Sequence, residues 1–355
     1  MNFAIIGCGR IASKHVDAIN AIRDSQLVAC ADTRVERAEE IGVSNPNTAA
    51  YQSYDDMLTA HPEIDVVSIL TPSGLHPQHV LDVVTRYRKN IIVEKPMALR
   101  LSDADAMIRS CDEAGVRLFV VKQNRFNLPV VRLRQAIEAG RFGRITMGTV
   151  RVRWRRDQAY YDQDPWRGTW ALDGGVFSNQ ASHHVDLLEW MLGDPVSVMA
   201  KTATFLSKIE VEDTGVAIVR FQGGALGVIE ATTATRPKDL EGSLSILGEH
   251  GTVEIGGFAV NEMKTWEFTD TTDEERTEVF TNAAENPPNV YGFGHQRYLQ
   301  NVIDAIQSGT RGLVDGLEGR KSLELINAIY ESAETGREVF LRYEPRFSRL
   351  GRSQP

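Results

Sequence analysis

Gly7-Cys8-Gly9-Arg10-Ile11-Ala12 directly follows the apolar run at residues 3–6 and opens a stretch with helically spaced apolar residues. This is G-x-G-x-x-G/A in a strand–turn–helix context. Its first glycine allows the tight turn, its second lets backbone approach a pyrophosphate, and its small last residue keeps helix and strand close. The helix start that follows offers N–H groups and the positive end of its dipole to phosphate. A lone glycine pattern specifies little, but Asp32 closes the second apolar run, 27–31. It stands roughly 20 residues on, where an acid binds the ribose hydroxyls of a dinucleotide. A carboxylate there repels a 2′-phosphate and favours NAD, a preference that nearby Arg34 weakens.

The first third alternates apolar runs (3–6, 27–31, 66–70, 91–93, 118–121) with helical patterns (11–22, 34–41, 54–60, 77–86, 102–114). That rhythm implies a parallel, doubly wound sheet with buried strands. A helix at 130–139 follows. Beyond it, period-2 alternation runs through 145–155, 196–205, 214–221, 225–232, 242–247 and 252–255, with glycine turns at 223–224 and 248–251. Such alternation predicts a mostly antiparallel or mixed sheet with one exposed face. A helix at 178–192 interrupts it, and two more are expected at 294–308 and 317–335. The predicted fold class is α/β: an N-terminal doubly wound Rossmann domain, 1–122, plus a C-terminal α+β domain, 123–344, with a large sheet. A loose tail, 345–355, ends the chain.

The 355 residues suffice for two cores, and 42% hydrophobic with 25% charged is ordinary for a globular protein. A formal net charge of −9 argues against a nucleic-acid or membrane-surface binder. Cys8, Cys30 and Cys111 form no C-x-x-C pair, and their odd number suggests no disulfide framework. The start lacks a basic segment followed by a long apolar one, and no stretch has bilayer length. A cytoplasmic protein is expected.

Turns after strands of such a sheet face the ligand crevice. Two qualify: Thr71-Pro72-Ser73-Gly74-Leu75-His76-Pro77 and Glu94-Lys95-Pro96. Lysine can act as acid, base or hydrogen-bonding cation there, and Pro96 fixes the turn that aims Lys95. A second cluster runs from Asp173-Gly174-Gly175 to His183-His184-Val185-Asp186. On one helix, Asn179, His183 and Asp186 share a face, a polar stripe suited to a site floor. His183 and His184 point apart and lack a third ligand at metal spacing, so no metal is expected. Arg151, Arg153 and Arg155 alternate on one strand face, opposite Val150, Val152 and Trp154, and read as a solvated face or a subunit contact. An arginine of this set reaching a diphosphate is the alternative.

Taken in order, the glycine loop, the Glu-Lys-Pro turn and the Gly-Gly…His-x-x-Asp segment resemble the Gfo/Idh/MocA oxidoreductases over residues 1 to about 340. Longer stretches are similar to the WlbA-type dehydrogenases within that family: Val121-Lys122-Gln123-Asn124-Arg125, Trp166-Arg167-Gly168-Thr169-Trp170, Asn179-Gln180-Ala181-Ser182-His183, Glu210-Val211-Glu212-Asp213-Thr214-Gly215 and Pro237-Lys238-Asp239-Leu240-Glu241-Gly242-Ser243. Many family members carry Asp where this chain has Asn179, a neutral group that does not repel a sugar carboxylate.

The resemblance implies NAD-dependent oxidation of the 3-hydroxyl of UDP-N-acetyl-glucosaminuronic acid, a step toward bacterial surface-polysaccharide (O-antigen) sugars. The cofactor would be held by Gly7, Gly9, Arg10, Ile11, Ala12 and Asp32. Thr71, Pro72, Ser73, Leu75 and His76 would join them, as would Glu94, Lys95, Gln123, Trp166 and Arg167. The substrate would meet Lys95, Lys122, Asn124, Arg125, Asn179 and His183. Lys95, His183 and Asn179 form the implied catalytic set. Either Lys95 or His183 can be the base, and Arg125 is a candidate bidentate anchor for an anionic group.

The nucleotide sugar is the implied small-molecule partner, 2-oxoglutarate a candidate hydride acceptor, and a homodimer or homotetramer the expected assembly. The apolar side of the strands at 225–232 and 242–247 is the candidate pairing face. Another sugar or inositol dehydrogenase of the family is the nearest alternative. A non-catalytic NAD or sugar sensor is the other, but it would be expected to lose Lys95 or His183.

Overall fold

The computed structural model describes residues 1–282, 294–341 and 350. The chain runs β1 (Asn2–Ile6), α1 (Ala12–Asn20), β2 (Gln26–Ala31), α2 (Val35–Ser44), β3 (Ala49–Tyr51), α3 (Tyr54–Ala60), β4 (Val66–Ile69), α4 (His76–Tyr87), β5 (Asn90–Val93), α5 (Leu101–Ala114) and β6 (Leu118–Val120). It continues with α6 (Leu128–Glu138), β7 (Ile145–Arg153), α7 (Gln158–Tyr161), α8 (Ser182–Leu192), β8 (Pro195–Ala203), β9 (Thr214–Phe221), β10 (Leu226–Thr232), β11 (Glu241–Gly248) and β12 (Gly251–Gly256). The last elements are β13 (Glu262–Phe268), α9 (Asp273–Asn282), α10 (Gly294–Ser308), α11 (Gly316–Thr335) and β14 (Val339–Phe340). Two compact units form, one from residues 1–122 with 295–320, the other from 123–294 with 321–355.

The first unit is built on a six-stranded sheet in the order β3-β2-β1-β4-β5-β6, every pair parallel. This is the Rossmann order, which reverses between β1 and β4 and opens a crevice at their carboxyl ends. The strands are buried on both faces, as a covered parallel sheet requires: Phe3, Ala4, Ile5, Val66, Val67, Ile91, Ile92 and Val93 are fully enclosed. Sequence periodicity assigns 295–320 to the C-terminal domain, 123–344, but the segment belongs to this unit. Val120 N–H donates to the Val314 carbonyl at 3.2 Å and Arg117 Nη1 to the Ala305 carbonyl at 3.0 Å. Gly312 and Gly316 lie so close to Phe119 and Leu118 that a Cβ on either would stand 2.7–3.1 Å from those side chains.

The second unit is built on an eight-stranded mixed sheet, order β13-β12-β11-β7-β10-β9-β8-β14, in which β7 and β10 pair in parallel. Helix α8 covers one face. Gly148 and Gly227 let Leu188 and Leu192 approach the strands, since a Cβ at Gly148 would stand 2.8–2.9 Å from both side chains.

The apolar side of β10 and β11 expected to pair between subunits is therefore core: Ile229, Ala231, Leu244 and Ile246 are fully buried. The exposed apolar side chains of this sheet are instead Met199, Val216, Ile218, Leu226 and Leu247. On the same face Arg153 bridges Glu230 and Glu241 across three strands at 2.6 and 2.9 Å, a partly solvated ionic ladder. Of the expected loose tail, 345–355, all but Leu350 lies outside the described residues. Leu350 itself is buried against Gly174. No helix among the described residues is long and apolar enough to cross a membrane.

Candidate active site

Within the first unit, the glycine loop is shaped by close backbone approach. Gly7 has φ +94°, and a Cβ there would lie 2.9 Å from backbone atoms of Leu70 and Thr71, beyond the end of β4. Around Gly9 a Cβ would meet nothing within 4 Å, so the turn leaves open space above it. Helix α1 begins without a side-chain cap or an acid in its first turn; Ala12 N–H and Lys14 N–H donate to the Gly9 and Ile11 carbonyls at 3.0 Å, and the positive end of the helix dipole favours an anion there. Asp32 accepts from Cys8 N–H at 2.8 Å and from Arg34 N–H at 2.9 Å, which pins the loop to the end of β2. A cradle that a Cβ would fill, an uncapped helix start and a carboxylate after β2 together fit a dinucleotide, with Gly7, Gly9, Arg10, Ile11, Ala12 and Asp32 around it.

The turns after β4 and β5 are tied together by His76. Its Nε2 lies 2.8 Å from the Thr71 carbonyl and its Nδ1 2.9 Å from the Pro96 carbonyl. Burial lowers its pKa to about 4, so the ring is neutral near pH 7 and donates to one of the two carbonyls. His76 is 1% exposed and ties the two turns together. Thr71 Oγ1 pairs with His79 Nδ1 at 2.9 Å, and Ser73 is buried. Pro72 and Leu75 flank Ser73 in the short turn that leads into α4.

The turn at Glu94-Lys95-Pro96 contains a cis Lys95–Pro96 bond. Glu94 Oε2 accepts from Lys95 N–H at 3.0 Å, while Oε1 lies 3.0 Å from His15 Nε2 and 3.9 Å from His295 Nε2. Burial alone would raise the Glu94 pKa; the two imidazoles outweigh it and hold the carboxyl well below the usual range. His15, Glu94 and His295 form a buried group of metal-ligand type that sequence spacing could not reveal. A metal-bound histidine is oriented by an acceptor on its other nitrogen, and among the described residues His15 Nδ1 has no hydrogen-bond partner. The two rings set the charge and orientation of the Glu94 carboxylate. Lys122, the last residue of the segment that follows β6, is 3% exposed.

In the second unit, the segment expected as one helix from 178 to 192 is two pieces. Val176–Gln180 is a π-helical turn, and α8 starts at Ser182. Asn179 lies in the π-helical turn, while His183 and Asp186 lie in α8. Its Nδ2 donates to Asp173 Oδ1, and its Oδ1 accepts from Gln180 Nε2 at 3.3 Å. Asp173 Oδ2 also accepts from Gly168 N–H at 2.7 Å. Gln180 and Arg167 both donate to Tyr160 OH, at 3.1 and 2.8 Å, and the Arg167 guanidinium lies 4.6 Å from the Trp166 ring. The 166–170 and 179–183 stretches thus meet in one network. Beside it, Arg167, Gly168, Tyr161, Lys208 and Glu210 line an open cleft of about 720 Å³.

His183 and His184 do point apart. Gln123 Nε2 donates to His183 Nε2 at 3.1 Å, while His184 packs edge-on to Trp154 and burial lowers its pKa to about 4. Arg125 is not an open anion clamp. Its Nε and Nη2 both bond Asp186 at 2.8 Å, each partner is 2% exposed, and Trp190 stacks 4.8 Å from the guanidinium. This buried pair holds the turn of Gln123, Asn124 and Arg125 against α8. Asn124 is 5% exposed.

Two family models match this chain: the NAD-binding Rossmann fold of the oxidoreductase family over residues 1–122, and the GFO/IDH/MocA C-terminal domain over residues 130–254. The chain belongs to the Gfo/Idh/MocA oxidoreductases. Like other Gfo/Idh/MocA enzymes it is an NAD-dependent dehydrogenase.

The WlbA dehydrogenase of Bordetella pertussis, solved with NADH and UDP-GlcNAcA, matches with TM-score 0.90 and 45% identity over 96% of this chain and 97% of that one. The WlbA enzyme of Chromobacterium violaceum, in complex with the same two molecules, matches at 0.88 and 44%, over 96% of this chain and 95% of that one. Myo-inositol 2-dehydrogenase of Thermotoga maritima is 27% identical over 96% of this chain and 98% of its own length.

Proposed function

We propose that this dehydrogenase oxidises the 3-hydroxyl of UDP-N-acetyl-glucosaminuronate to the 3-keto sugar. The observation that carries the reading is 45% identity across nearly the whole chain to a protein solved with that sugar nucleotide and NADH. NAD, when bound, accepts the hydride from the sugar carbon. The protein's share is to place the sugar and remove the hydroxyl proton. The Gln123 amide keeps a lone pair on His183 Nε2, which suits that nitrogen to take the proton once the hydroxyl displaces the amide. Lys95 supplies positive charge for the developing alkoxide, and Lys122 and Asn124 are further candidates for the sugar side. Asn179, held by Asp173, presents a neutral amide compatible with a sugar carboxylate.

The second reading is oxidation of a free cyclitol or sugar, favoured by the inositol dehydrogenases at 27% and 25% identity. A panel assay following cofactor reduction decides between them. UDP-N-acetyl-glucosaminuronate should turn over, while UDP-N-acetylglucosamine, free inositols and hexoses should not. Turnover of an inositol without response to the uronate would replace the first reading by the second. Adding 2-oxoglutarate to enzyme carrying NADH tests the proposed route of re-oxidation. Size-exclusion chromatography with light scattering tests the proposed homodimer or homotetramer.

A further inference from the structure

The stretch Glu210–Gly215 contains a carboxyl for which the proposed chemistry has no use. Glu212 is 4% exposed and lies in the second unit. Its Oε1 accepts from Phe177 N–H at 3.1 Å and from Tyr330 OH at 2.8 Å, while its backbone carbonyl accepts from Val176 N–H at 3.1 Å. Tyr330 OH in turn accepts from Gly175 N–H at 3.0 Å. The carboxyl fills the place of a side chain at residue 175, where a Cβ would come within 1.9 Å of Oε2. Among the described residues, Oε2 has no hydrogen-bond partner. One carboxyl and one phenol therefore hold the start of the π-helical turn from two sides, and Asn179 is carried at its far end through its N–H bond to the Gly175 carbonyl at 2.9 Å. π-turns of this kind interrupt helices most often at functional sites.

We propose that Glu212 is a positioning residue whose protonation sets how firmly the turn carrying Asn179 is held. A carboxylate accepts hydrogen bonds about twice as strongly as a neutral acid. The bonds from Phe177 and Tyr330 favour the charged form, so by linkage the charged form strengthens them. Burial works against the charge, and the nearby Asp173 carboxylate adds to that; together they bring the Glu212 pKa to about 7. The facing titratable groups are Tyr330 from α11 and Asp173 from the loop before the turn, with Glu210 and Asp213 beside Glu212 in its own segment. Within the folded protein, where the carboxyl stays buried whether or not its bonds are made, the turn is then held loosely below about pH 7 and firmly above it; complete unfolding, which returns the carboxyl to water, has the opposite pH dependence.

The relevance of Asn179 to substrate rests on the function proposed above, so the test reads the free enzyme. Hydrogen exchange is followed in the peptide covering residues 175–181, corrected for the intrinsic pH dependence of exchange. In the wild type, protection should rise about tenfold as pH passes upward through neutrality, the gain from one charge-assisted bond. In Glu212→Gln it should stay level. In Tyr330→Phe the inflexion should move to higher pH, because the charged form loses a donor. A wild-type course unchanged in Glu212→Gln overturns the inference. If that variant fails to fold, an unmoved inflexion in Tyr330→Phe overturns it. Failure of the uronate to turn over would sink the proposed function and leave this exchange result standing.

Discussion

Asn179 faces Asp173, and that contact explains why an amide suits the position: a carboxylate at 179 would set two negative charges together in a half-buried turn. Asn179→Asp should therefore loosen the turn or take up a proton there. An at least tenfold loss of kcat/KM for the uronate, relieved by lowering pH, is the expected outcome of a pH-dependent kinetic series. His183→Asn and Lys95→Ala should each lower kcat by about 10² or more, since both are assigned to proton transfer or its charge. Turnover at the wild-type rate in both variants would remove them from the chemistry. Arg125 carries the opposite lesson. A lone arginine in a motif invites reading as an anion site, yet its partner Asp186 lies 61 positions away, and no local pattern announces a buried bidentate pair.

At the scale of elements, that pair fastens the turn after β6 to α8. Asp186→Ala should leave an uncompensated buried guanidinium and cost about 3–5 kcal/mol, measurable by denaturant unfolding. Arg125 and Asp186 replaced together by apolar residues should recover much of that loss. The strands and helices of the first unit were legible because parallel strands buried on both faces leave continuous apolar runs between helical patterns. The short edge strands β3 and β14 left no such trace, being three and two residues long. The break between the π-turn and α8 was invisible as well. Periodicity shows which residues prefer a helix, whereas the side-chain hydrogen bonds that meet the start of the turn come from Glu212 and Tyr330, in distant segments. The glycine loop and Asp32 were readable because their spacing is local. The imidazoles around Glu94 were not, because His15, Glu94 and His295 are gathered only by the fold.

For the molecule as a whole, buried carboxyls pull stability in two directions. The Glu94 pKa is depressed, so its contribution is present above its unfolded value and fades on acidification. Glu212 is the reverse. With its pKa raised from 4.5 to about 7, its contribution is full below the lower value and disappears as pH climbs through the upper one. That rise corresponds to about 3 kcal/mol at 1.36 kcal/mol per pH unit. Denaturant unfolding of the wild type and Glu212→Gln, compared below about pH 5 and above about pH 8, should show their difference changing by that order in favour of the variant. A constant difference would refute it.

The return of residues 295–320 to the first unit also bears on how the protein is made. A ribosome delivers the whole of 123–294 before the piece that covers β6 and brings His295 to Glu94. Until then the nascent first unit carries a bare sheet edge, so in the cell its completion is a late event in synthesis, open to chaperone capture while the chain is still growing.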